Sequence, residues 1–210
     1  DPACGCGNFL GITYRELRLL ELAILHGLYD SGRQQELDVH HLIRLDVDQF
    51  YGIEIEEFPA QIAQVALWLV DHQMNIRVSE EFGMYFARIP LVTSPHIVNG
   101  NALRLDWAEV LPPERCSYVL GNPPFVGKQH QNTEQKADLE ACTVGIKGAG
   151  VLDFVAAWYI KATPYIHGSK ILCAFVSTNS ITQGEQVGVL WSWLLSQGIK
   201  IHFAHRTFQW

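Results

Sequence analysis

The sequence carries no surplus of positive charge: 15 Lys and Arg stand against 22 Asp and Glu, a formal net charge of −7 over 210 residues. Nucleic-acid binders normally present a basic face that releases counterions from phosphates, and this stretch by itself offers none. It also has no run of eighteen apolar residues, no basic and apolar leader and no tail motif, so nothing points to membrane insertion or export and the cytoplasm is the expected location. Internal repeats and low-complexity tracts are missing. Cysteine is sparse and odd in number. Cys4, Cys6, Cys116, Cys142 and Cys173 are scattered through a chain large enough to fold without staples, which predicts reduced thiols. Cys4 and Cys6 lie too close for the usual zinc spacings. His40 with His41, and His202 with His205, lack a neighbouring Cys or acid, so they read as surface or strand-edge residues and no metal is expected.

What is present is a chain with 48% apolar and 18% charged residues, enough to bury a full core as a single domain over residues 1–210. Apolar runs of strand length alternate with helical patterns, which predicts an α/β fold with a mostly parallel sheet. The first helix should start near Asn8, burying Leu10, Leu17, Leu20, Ile24 and Leu28, with Arg15, Glu16, Arg18 and Glu21 on its polar side, and end near Ser31-Gly32. Phe50 to Glu54 reads as a strand, followed by a helix from about Pro59 with Ile62, Val65, Ala66, Leu69 and Val70 inward. Ser79 to Pro95 reads as irregular, with Pro90 and Pro95 limiting it.

Ile97-Val98 and Tyr118-Val119-Leu120 predict two more strands, and residues 126–150 a long polar loop. Asp153 can cap a helix carrying Val155, Trp158, Tyr159, Ala162 and Ile166. Ile171 to Val176 is continuously apolar, as in a central parallel strand covered on both faces. A helix through Val189, Trp193 and Leu194 then leads to a last strand at Ile199 to Phe203. Ligands of such sheets gather at the carboxyl ends of strands, here Asp1, Glu54, Asn101, Asn122 and Asn179, all polar. The chain opens on Asp1 at what reads as a strand end and stops at Trp210 without a terminating element, which predicts a fragment lacking its first strand.

Asp1-Pro2-Ala3-Cys4-Gly5-Cys6-Gly7-Asn8-Phe9 is a strand-end acid, a glycine turn and a helix start, letting a ligand lie against bare backbone. Leu10 occupies the third glycine position of a dinucleotide fingerprint, and Glu54 lies far beyond the ~20 residues at which such a fold places its ribose acid, so a nicotinamide cofactor is not expected. Glu54 is a candidate carboxylate for ribose hydroxyls.

Asn122-Pro123-Pro124-Phe125 carries the sharpest signal. Successive prolines fix the backbone and cannot donate, leaving carbonyls free to accept. Accepting both hydrogens of a conjugated amino nitrogen with the Asn122 side-chain oxygen and the Pro123 carbonyl would concentrate its lone pair for attack. Phe125 offers a flat face to a base taken out of the stack, a contact worth ~1–3 kcal/mol.

On these residues the chain resembles the amino-methylating DNA methyltransferases, most closely the MmeI-like branch of restriction-modification enzymes. The resemblance runs from Asp1 to Trp210. It implies a Rossmann-like class I S-adenosylmethionine-dependent methyltransferase fold, with helices on both faces of the sheet and truncated at both ends. It implies transfer of a methyl group from S-adenosylmethionine to adenine in double-stranded DNA, with the adenine flipped out. Asp1, Ala3, Cys4, Gly5, Asn8 and Phe9 then surround the methionine part of the cofactor, Glu54 beside Ile55 takes the ribose, Asn101 with Ala102 lies near the adenine ring, and Asp153-Phe154 matches a motif whose aromatic residue packs near the cofactor. Asn122 to Phe125 matches the catalytic motif. Ser177 to Thr182 and Phe203 to Phe208 look like this branch in particular. Target recognition, and a nuclease if one is fused, would lie elsewhere in a longer polypeptide, which also accommodates the acidic charge.

The competing enzyme is a methyltransferase acting on a protein glutamine, whose amide nitrogen needs the same acceptors; its aromatic residue is usually Tyr, so Phe125 favours a nucleobase. A third reading is a catalytically inactive remnant or binding module, against which the intact Glu54 and catalytic tetrapeptide speak.

Overall fold

The computed structural model describes residues 1–29, 42–82 and 94–206. The chain forms two compact units, one of Asp1 with Ala3–Asn99 and one of Pro2 with Gly100–Trp210. Its architecture is α/β with parallel strands. The predicted end of the first helix at Ser31-Gly32, the pair His40 and His41, and Pro90 fall outside the described residues.

The first unit holds α1 (Asn8–Tyr29), β1 (Tyr51–Glu54), α2 (Glu57–Phe82) and β2 (His96–Asn99). Strands β1 and β2 pair in parallel, Tyr51 opposite His96 and Glu54 opposite Asn99. The first residues of the chain run along the other edge of β1. Ile53 N–H donates to the Asp1 carbonyl at 2.9 Å, and Cys4 N–H to the Ile53 carbonyl at 3.1 Å. Gly52 lies between the two flanks: a Cβ there would stand 2.8 Å from both Cys4 Sγ and Ile97 Cδ1.

The core of this unit joins Leu10, Tyr14, Leu22 and Leu25 of α1 to Ala63, Leu67, Met74 and Val78 of α2, together with Cys4, Val47 and Phe50. This departs from the predicted stripes. Leu20, Ile24 and Leu28 are exposed on α1, as are Val65 and Leu69 on α2, while Arg18, expected on the polar side, is fully buried. A polar network sets the rotation of the helices. Tyr14 Oη donates to Asp71 Oδ1 at 2.5 Å, Asn75 Nδ2 donates to Asp71 Oδ2 at 3.0 Å, and Arg18 reaches Asn75 Oδ1 and the Leu45 carbonyl, each at 3.0 Å. Burying a guanidinium is tolerable only where such partners exist, so their position overrides the apolar periodicity. Helix α2 also begins before Pro59 and continues to Phe82, through the first part of the stretch expected to be irregular.

The second unit holds the short α3 (Trp107–Val110), β3 (Tyr118–Gly121), α4 (Thr133–Cys142), α5 (Ala156–Ile166), β4 (Leu172–Phe175) and α6 (Gln186–Ser196). Strands β3 and β4 are parallel, with Gly121 opposite Phe175. Helix α5 buries Ala156, Ala157, Trp158, Ile160 and Ala162.

The described strands form two parallel pairs, one in each unit. Three further expectations are corrected. The stretch 126–150 is not all loop, because Asn132 and Gln135 form a reciprocal capping box that starts α4. Strand β4 is not covered on both faces, for Leu172 is 49% exposed. Ile199 to Phe203 forms no strand: Ile201 and Phe203 face solvent, and strand-like composition without a hydrogen-bonded neighbour makes no ladder. Among the described residues no helix is long and apolar enough to cross a membrane, and no three His, Cys, Asp or Glu side chains group as metal ligands.

Candidate active site

In the first unit the strand-end acid and the glycine turn meet. Asp1 Oδ1 accepts the Ala3 N–H at 2.9 Å, closing a short turn. Gly5 and Gly7 adopt φ of +53° and +82°, and a Cβ on Gly7 would approach Ala63 to 3.0 Å. This tight reversal delivers the chain directly into α1 at Asn8. Gly5 N–H donates to Glu54 Oε2 at 2.8 Å, while Glu56 N–H donates to Oε1 at 3.1 Å. The Glu54 carboxylate is thereby fixed in orientation and keeps acceptor capacity on both oxygens.

A Cβ on Gly5 would meet nothing within 4 Å, so the turn has an open side. Beyond Glu54, Ile55 is 60% exposed. Asn99, which sequence reasoning marked only as a strand end, donates from Nδ2 to the Glu54 and Ile55 carbonyls, 3.0 Å each, and secures the bend after β1. Asn8 is exposed and Phe9 half-buried. Burial pushes the Cys4 thiol up to about 11, so it stays protonated near neutral pH.

In the second unit Asn101 is fully engaged. Its Oδ1 accepts the Leu103 N–H at 2.9 Å and its Nδ2 donates to Asp138 Oδ2 at 2.7 Å, while Arg104 Nε binds Asp138 Oδ1 at 2.6 Å. Ala102 is buried and its carbonyl accepts from Trp107 Nε1 at 2.8 Å. Asp138 was not singled out from sequence, because no local pattern ties α4 to Asn101.

Asn122 follows β3 directly. The Gly121 carbonyl accepts the Val176 N–H at 3.0 Å, Pro123 is fully buried, and Phe125 is 40% exposed. Asn122 Oδ1 is buried and finds no hydrogen-bond partner among the described residues. Among the described residues the other such atoms are Arg18 Nε and Glu21 Oε2, which belong to side chains 4.0 Å apart in the charged neighbourhood of α1. A buried acceptor left unpaired costs ~1–3 kcal/mol, and its persistence in a native structure calls for a reason.

Phe125 opens onto a pocket of about 200 Å³ lined also by Val126, Gly127, Asp153, Val155, Thr178 and Ser180. That is smaller than the ~300–1,000 Å³ of drug-sized sites and suits a single planar ring. Asp153 does not cap α5 as predicted; it lies too early for that, and its carboxylate turns to Lys128 N–H at 2.9 Å and Gln186 Nε2 at 2.8 Å. Burial alone would push the Asp153 carboxyl up, but hydrogen bonds from Ser180, the Lys128 N–H and Gln186 outweigh it and hold it below its ordinary value. Phe154 is buried edge-on against Trp158, centroids 5.2 Å apart, and its N–H donates to the Val126 carbonyl at 2.9 Å.

The Ser177–Thr182 segment is held in place by Tyr159 Oη 2.8 Å from Ser177 Oγ and by Trp191 Nε1 donating to the Ile181 carbonyl at 2.6 Å. Thr178, Ser180 and Gln186 are further site residues that sequence reasoning did not assign individually. His202 and His205 are exposed, as expected of surface histidines.

The family model described as the DNA-methyltransferase domain of MmeI matches residues 1–210. DNA methyltransferase A of Bacillus subtilis (strain 168) is 42% identical over 215 residues, covering 100% of this chain and 24% of that protein. The adenine-specific methyltransferase PglX of Streptomyces coelicolor is 23% identical over 152 residues, covering 60% of the chain and 12% of its own length. Among solved structures, the type IIL restriction-modification enzyme MmeI in complex with DNA matches with a TM-score of 0.93 and 67% identity, over 100% of this chain and 28% of that one. The chain therefore spans about a quarter of the length of DNA methyltransferase A and of that MmeI chain.

Proposed function

Because the chain belongs to the family of MmeI DNA-methyltransferase domains, we propose that it is the catalytic domain of a site-specific, adenine-specific DNA methyltransferase of a restriction-modification system. In this reading the two units are the halves of one domain with a Rossmann-like class I fold, the first holding the methyl donor and the second handling the acceptor. Target recognition, and any nuclease, belong to other parts of a longer polypeptide that works in the cytoplasm, where its DNA is.

The residues present fit S-adenosylmethionine. The oriented Glu54 carboxylate can accept from ribose hydroxyls, the uncovered side of Gly5 leaves room for the methionine part, and exposed Ile55 offers an apolar surface to a ring. Asp1, Ala3, Cys4, Asn8 and Phe9 build the turn around it. When bound, this cofactor supplies a methyl group on a positively charged sulfur.

The observation that carries the reading is the vacant Asn122 Oδ1. An acceptor kept free three residues before Phe125, which lines a ring-sized pocket, suits a group whose hydrogens arrive with the substrate. Asn122 Oδ1 takes one hydrogen of the adenine amino group and the Pro123 carbonyl the other. Phe125 stacks on the flipped base. Withdrawing both hydrogens into acceptors raises electron density on a nitrogen that ring conjugation otherwise drains.

Asn122→Ala should abolish transfer of labelled methyl groups to adenine in duplex DNA while donor binding, measured by calorimetry, stays intact. Retained transfer in that variant refutes the assignment.

A further inference from the structure

We propose that Asp153 and Gln186 form a two-residue latch that positions the catalytic loop, so that Asp153 acts on catalysis through the backbone of residues 126–128 and not by touching the methyl donor. The inference rests on the function proposed above. The tetrapeptide Asn122 to Phe125 lies between two sets of backbone anchors. On its upstream side the Gly121 carbonyl accepts the Val176 N–H. Pro123 and Pro124 have no N–H to add to either set. Downstream, the chain is fastened wholly to the segment before α5. The Val126 carbonyl accepts the Phe154 N–H at 2.9 Å, Lys128 N–H donates to Asp153 Oδ1 at 2.9 Å, and Gln131 Nε2 donates to the Leu152 carbonyl at 3.2 Å.

Gln186, buried at the start of α6, secures Asp153 from both sides. Its Nε2 donates to Asp153 Oδ2 at 2.8 Å and its Oε1 accepts the Asp153 N–H at 3.1 Å. A side-chain amide is the one group of that length able to donate to the carboxylate and accept from the adjacent N–H at once. With Lys128, Gln186 and Ser180 all donating to it, the Asp153 carboxylate is committed inside the protein. It shares the wall of the pocket with Phe125 and Gly127, so the bond to Lys128 fixes the backbone just beyond the stacking residue.

The polarity of the pair yields a swap test. In Asp153→Asn the new amide donor faces the Gln186 donor, and turning Gln186 round sets its amide against the Asp153 N–H. In Gln186→Glu two carboxylates meet. The double variant Asp153→Asn with Gln186→Glu restores the bonds within the pair and to Lys128: Asn accepts from Lys128 and donates to Glu, which still accepts the backbone N–H.

In the polypeptide that carries this chain, each single variant should lower kcat for DNA methylation ~10–100-fold, the loss of one charge-assisted hydrogen bond, with KM for the donor unchanged. The double variant should recover most of that loss. Amide hydrogen exchange at Lys128 should quicken in the single variants and slow again in the double one. Unchanged kcat in the single variants, a double variant no better than either, or a rise in donor KM without a fall in kcat overturns the latch. Should the unaltered protein transfer no methyl group to DNA, the proposed function falls; exchange at Lys128 then still decides, its loss and recovery supporting the latch and its constancy overturning it.

Discussion

Two asparagines follow strands in this molecule, and they end in opposite states. Asn101, after β2, closes a turn by accepting the N–H two residues on, from Leu103, and spends its amide on Asp138. Asp1 and Asp106 do the same with the N–H groups of Ala3 and Ala108. Asn122, after β3, has the same side chain and a comparable place, yet its Oδ1 is buried and vacant. The residue two places on is Pro124, which has no N–H to give. The first asparagine is structural because its neighbours complete it. The second is denied that turn by Pro124, and on the proposed function the amino group of the substrate completes it.

The comparison can be broken most directly at Pro124. Pro124→Ala supplies the missing N–H, so Asn122 should close the same turn and methyl transfer should fall roughly ten-fold, the worth of one hydrogen bond that must be undone before the substrate is accepted. Full activity in that variant would show that the proline matters for some other reason. Asn101→Ala tests the opposite side: it should lower unfolding stability by about 1 kcal/mol with little change in donor affinity. A large loss of donor affinity measured by calorimetry would return Asn101 to the cofactor site.

The smallest effect concerns the turn closed by Asp1. Cys4 in that turn, and Cys173 in β4, have thiols pushed by burial to about 11 and about 12. Their unfolded value is ~8.5. The stability they contribute is whole below that pH and is lost as pH rises through the folded values. Chemical denaturation between pH 8 and 11 should show a decline that Cys4→Ala reduces.

What could be read in advance was what is local in the chain. Asn122 to Phe125, the turn at Asp1 and the acid at Glu54 each carry their chemistry within a few neighbouring residues, and Glu54 does meet Gly5. The vacancy of Asn122 Oδ1 follows from Pro124 by the same local rule. What could not be read depends on partners brought from a distance. Arg18 looks like a surface residue until the Leu45 carbonyl and Asn75 arrive to hold its two terminal nitrogens, and those contacts turn α1 away from its apolar stripe. Gln186 shows nothing in sequence to link it to Asp153. Ile199 to Phe203 has the composition of a strand, but a strand is a relation to a neighbour, and the described residues supply none.

Gly52 shows how little clearance the first unit allows. Its missing side chain lets Cys4 and Ile97 close in from either flank of β1, and Cys4 is next to Gly5, which ties the turn to Glu54. Adding even one carbon at Gly52 would act as a shim, lifting the turn off the strand. On the proposed function, Gly52 therefore sets the tolerance to which the cradle of the methyl donor is built, and a defect there should surface as poor binding long before it registers as poor folding.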